Sequence, residues 1–103
     1  MKSLLYVDLW EKYLFAINSI VKNGGGVIQL CSLDFEQRGK RKSYSVSLDI
    51  VDGIIPFKSG NAVARDLKMV LDASPAFREN AKGKRIIIRL DPQFLLTIRV
   101  YDY

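Results

Sequence analysis

The sequence predicts an α+β domain: a mostly antiparallel five-stranded sheet with two helices on one face, in the order α-β-β-β-α-β-β. Three observations carry this prediction. Apolar residues recur at helical spacing in two stretches, Leu9 to Val21 and Val63 to Leu71. The run Ser43-Tyr44-Ser45-Val46-Ser47-Leu48-Asp49-Ile50 alternates polar and apolar without a break, the period of a strand with one buried face. Two further apolar runs, 86–90 and 94–101, are separated by Asp91-Pro92-Gln93, a turn sequence. With 103 residues the chain is read as one domain over 1–103, because two halves would each be too small to bury a core.

Taken in order, Asp8-Leu9-Trp10-Glu11 reads as a capping box with Asp8 at the N-cap. Behind it Leu9, Tyr13, Ala16, Ile17, Ile20 and Val21 form a buried stripe, which Trp10 and Leu14 widen enough to suggest a second covering surface or a partner. Asn23 and the glycines at 24–26 end the helix, since glycine enters a left-handed C-cap at little cost. A strand over Val27–Glu36 follows, with Val27, Cys31, Leu33 and Phe35 on one face and Ile28 and Leu30 on the other. It is expected to pair with Ser43–Ile50 as a hairpin, and Cys31 in its apolar row reads as a buried structural thiol.

Val51-Asp52-Gly53-Ile54 is a strong signal for a type I′ turn. The short strand after it, Ile54–Phe57, belongs at an edge because Pro56 cannot donate to a ladder. The second helix buries Val63, Leu67, Val70 and Leu71 and is capped by Ser59 or Asn61. Ser74-Pro75 stops it and starts a short helix that turns Phe77 inward. The last two runs form an antiparallel pair.

Chemistry is narrowed mainly by what is missing. The chain has no histidine and one cysteine, which removes the usual general base, clustered thiolate or imidazole metal ligands, and Ser-His or Cys-His nucleophile pairs. Asp34, Glu36 and Asp49 remain as carboxylates, and the predicted hairpin brings no two of them together to hold a divalent ion. No enzyme activity, cofactor, metal or small-molecule substrate is therefore expected. The apolar runs are too short to span a bilayer, so no membrane partner is expected. The single thiol fits a reducing, cytoplasmic setting.

What remains is binding. A net charge of +5 favours polyanions, above all nucleic acid. The expected contacts are Arg38, Lys40, Arg41 and Lys42 in the hairpin loop, joined by Lys84 and Arg85 in a second basic turn. Lys58, Ser59, Gly60 and Asn61 form a candidate anion site at a helix start, although Ser and Asn there also serve as plain caps. The alternative is a protein-binding inhibitor or immunity-type module, working through an apolar and aromatic surface, alone or as a homodimer. Trp10, Ile28, Leu30, Tyr101 and Tyr103 are its candidate interface residues, and with Ile87 and Leu95 they put apolar residues on both faces of strands in so small a protein.

Overall fold

Sheet pairing is decided by the C-terminal hairpin. The structure is a computed structural model that describes residues 6–36, 45–56 and 62–102. Its elements run α1 (Val7–Lys22), β1 (Gly25–Gln29), α2 (Ser32–Glu36), β2 (Val46–Val51), α3 (Ala62–Asp72), α4 (Pro75–Ala81), β3 (Lys84–Leu90) and β4 (Leu95–Asp102). β3 and β4 pair antiparallel with Leu90 opposite Leu96 and Ile88 opposite Ile98. Between them Asp91 folds a three-residue turn by accepting, through Oδ1, the N–H groups of Gln93 (2.8 Å) and Leu95 (3.0 Å). Phe94 closes that turn at φ +63° and so belongs to the turn instead of the strand. β1 adds to the outer side of β4 and β2 to the outer side of β3, giving the antiparallel order β1-β4-β3-β2.

The α+β class is as predicted, but the described residues form four strands and four helices instead of five and two. The expected hairpin over Val27–Ile50 does not exist, because its two arms lie on opposite edges of the sheet. Alternation fixes which face of a strand is buried; it does not fix which strand lies beside it. β1 ends at Gln29, and the Leu30 N–H bonds back to the Phe94 carbonyl at 2.8 Å. The chain then turns into α2, where Phe35 is buried while Cys31 and Leu33 stay exposed. The predicted buried thiol is therefore on the surface. The type I′ turn does form, with Asp52 at φ +52° and Gly53 at φ +80°. Past it Ile54 makes one bridge to Val51 and no strand follows within the described residues, consistent with Pro56 breaking the ladder.

Among the described residues, α1, α3 and α4 lie on one face of the sheet. Val46, Leu48 and Ile50 of β2, Ile86, Ile88 and Leu90 of β3, and Leu96 and Ile98 of β4 are buried beneath them. α1 lies against β1 and β4, α3 against β2, and α4 against β3. At the start of β1 the chain needs glycine: Gly25 has φ +117°, and a Cβ there would stand 2.9 Å from the Ile98 carbonyl oxygen. α1 starts two residues earlier than its sequence suggested, with Tyr6 at the N-cap and no side-chain cap. The local capping box is replaced by a tertiary one: fully buried Asp66 of α3 accepts the Tyr6 N–H at 2.8 Å and the Arg65 Nε–H at 3.0 Å. α4 behaves as predicted, with Ser74 Oγ accepting the Phe77 N–H at 3.1 Å and the Phe77 ring fully buried.

No helix among the described residues is long and apolar enough to cross a membrane.

Candidate functional site

Among the described residues the helices leave the other face of the sheet open, and the register arranges its side chains in rows. Across the strands Arg85 stands between Tyr101 and Val51, Arg99 between Ile87 and Gly25, and Thr97 between Arg89 and Val27. Ile87, Leu95 and Thr97 are half-buried, whereas Arg85, Arg89, Arg99 and Tyr101 are exposed. A cleft of about 340 Å³ opens toward the β3–β4 turn, with Ile87, Leu95 and Thr97 in it and Arg89, Arg99 and Asp91 around it.

The charges on this face fall into two groups. Arg85 is held in a two-point pair with Asp49, Nη2 to Oδ2 at 2.7 Å and Nε to Oδ1 at 3.0 Å. The hydrogen bond from Arg85 holds the Asp49 carboxyl below its usual range. Arg89 and Arg99 have no acidic partner among the described residues. They are diagonal neighbours, Arg89 facing Thr97 and Arg99 two residues further along β4. On a pleated sheet that places them about 7 Å apart, where like charges repel. Asp91 stands at the same cleft, but its Oδ1 is turned to the turn amides and it forms no ion pair with either arginine. The face thus carries two unpaired arginines at diagonal positions beside an apolar floor, an arrangement that an anion with an apolar body would neutralise and cover.

The sequence-predicted residues distribute unevenly around this face. Lys84 and Arg85 begin β3 at its end, Arg85 already paired to Asp49. Tyr101 stands on it, 47% exposed. Trp10 and Leu30, expected at a protein interface, are instead core residues at 0% and 2% exposure, and Ile28 packs against the same core from β1. α3 supplies the second cover that the broad stripe of α1 implied, with Val63 O accepting the Trp10 Nε1–H at 3.0 Å. Arg38, Lys40, Arg41, Lys42, the Lys58-Ser59-Gly60-Asn61 stretch and Tyr103 lie outside the described residues. Arg89 and Arg99 were missed. Their signal was phase: each occupies the polar position in a strand whose alternate residues are Ile, Val or Leu.

Two other features differ from this face in chemistry. A cleft of about 320 Å³ between α1 and α4, beside the 86% exposed Phe15, has Lys22 as its one charged lining residue. The second is a clamp tying α2 to α1. Asp34 Oδ2 accepts from Lys12 Nζ and from the Tyr13 hydroxyl, both at 3.1 Å, and the Tyr13 oxygen accepts the Cys31 N–H at 3.2 Å. Burial raises the Tyr13 hydroxyl above its ordinary 10.0, and the Asp34 hydrogen bond raises Lys12 above its ordinary 10.5. Both raised values mean that folding favours the protonated forms, so the clamp is intact below pH 10 and weakens as pH climbs through them. In an alkaline titration one tyrosine should therefore ionise late, together with loosening of α2, and Tyr13→Phe should remove that late absorbance step. Retention of the step in the variant would assign it elsewhere.

Among the described residues no three Cys, Asp or Glu side chains gather as metal ligands would. Comparison of the chain with protein-family models, curated proteins and solved structures finds no match.

Proposed function

We propose that this chain is a small non-enzymatic binding protein that takes nucleic acid on the open face of its sheet. The observation that carries the reading is the Arg89–Arg99 pair, two exposed cations at diagonal positions that form no ion pair with an acid among the described residues. Holding like charges together costs stability, and phosphates repay that cost through charge-assisted, often two-point hydrogen bonds. The net charge of +5 draws a polyanion in, and the cations at 38–42 add to that field in sequence terms.

The test is binding of labelled oligonucleotides by fluorescence anisotropy across a salt series. Affinity should fall steeply with salt, because phosphate contacts release condensed counterions. The double variant Arg89→Gln/Arg99→Gln should bind at least tenfold more weakly and lower the salt slope by about two. Binding that ignores both salt and these two arginines would overturn the reading. The joint substitution of Arg38, Lys40, Arg41 and Lys42 measures what the loop adds.

A second reading, a protein partner or second copy on the same face, is favoured by Val27 at 53% and Tyr101 at 47% exposure. It requires an assembly that survives high salt and nuclease and is weakened by Tyr101→Ala.

A further inference from the structure

We infer that the nucleic acid taken by this face is single-stranded, with an unpaired base resting in the cleft beside Leu95 and Ile87 and the neighbouring phosphates on Arg89 and Arg99. This rests on the nucleic-acid reading above and narrows its ligand. Shape is the first argument. Proteins that read a duplex through its major groove insert a helix or a two-stranded ribbon into a space about 12 Å wide. Here the cations belong to the two central strands of a four-stranded sheet. With three strand spacings of about 4.8 Å, the sheet is some 14 Å across before side chains are added, too broad to enter that groove.

The floor between the cations is the second argument. Ile87 and Leu95 are half-buried apolar side chains in a cleft of about 340 Å³, at the small end of ligand-sized pockets. The outside of a duplex presents phosphate and sugar, which gain little from such a floor. A splayed base has an apolar face to cover it, and its own backbone delivers phosphates to either side. Tyr101 is the third argument. Its ring is 47% exposed two residues beyond Arg99 on the same face, and the Arg85 opposite it is held by Asp49, so the ring is free to carry a second base.

Labelled oligothymidylate, oligouridylate and a duplex of matching length are to be titrated at low salt. At least one single-stranded probe should bind about tenfold or more tightly than the duplex, and the two arms separate DNA from RNA. Tyr101→Ala should weaken single-strand binding about tenfold and leave duplex binding unchanged, while Tyr101→Phe, which keeps the ring, should bind as the parent does. Equal or tighter duplex binding that still depends on Arg89 and Arg99 would overturn this inference and leave the broader reading standing. Single-strand binding indifferent to Tyr101→Ala would overturn it too. Failure of all three probes to bind would remove the nucleic-acid reading itself.

Discussion

Replacing Trp10 with alanine is expected to destabilise the protein by about 3–5 kcal/mol, the range for truncating a large aromatic in a closed core. The side chain is 0% exposed, lies edge-on to Phe35 at 6.1 Å, and donates Nε1–H to the Val63 carbonyl across the α1–α3 contact. A single-domain protein has only about 5–15 kcal/mol in total, so this one change removes a large share of it. Trp10→Phe separates the two contributions: most of the volume stays and the hydrogen bond goes, for a loss of about 1–2 kcal/mol. Urea denaturation of the three proteins gives both numbers. A Trp10→Ala loss under 1 kcal/mol would mean that the residue is far more open than its burial indicates. Folded Trp10→Phe should bind the labelled oligonucleotides unchanged, since its side chain faces away from the open sheet.

Phe35→Ala is expected to cost a similar amount, about 3–5 kcal/mol, but to act first on one element. The Phe35 ring lies 6.1 Å from Tyr6, 6.1 Å from Trp10 and 4.9 Å from Phe94, joining α2 to the start of α1 and to the β3–β4 turn. α2 is a single turn, too short to persist without tertiary anchoring. Its other tie, Asp34 with Lys12 and Tyr13, is half-exposed and correspondingly weak. Hydrogen exchange should show amides around 32–36 losing protection while those of β3 and β4 keep theirs. Uniform loss across all elements, with no preference for α2, would show that Phe35 supports the whole core equally.

What could be read from the residues follows the range of the interactions that decide each element. α1, α3, α4 and the β3–β4 pair are set by local signals: a helical stripe, Ser74 before Pro75, and Asp91 folding its own turn. The partners of β1 and β2 are set by contacts distant in sequence, and period two says nothing about them. Residues 31–36 show the ambiguity most directly. Cys31, Leu33 and Phe35 alternate as in a strand, yet five residues of helix also turn Phe35 inward and leave Leu33 in water. The cap on α1 was out of reach for the same reason, because the carboxylate that accepts the Tyr6 N–H comes from Asp66. The open face was legible in the phase of Arg89, Thr97, Arg99 and Tyr101, whose cations are spread along two strands and not packed in one run as at 38–42.

The two strands at the centre of the sheet are also the last two in chain order. On the ribosome the earlier segments must therefore emerge with nothing to pair against, including the apolar row Val46, Leu48 and Ile50. The nascent chain must wait for residues 84–102 before either outer strand can dock, so its exposure to chaperones and to self-association lasts until that hairpin has emerged.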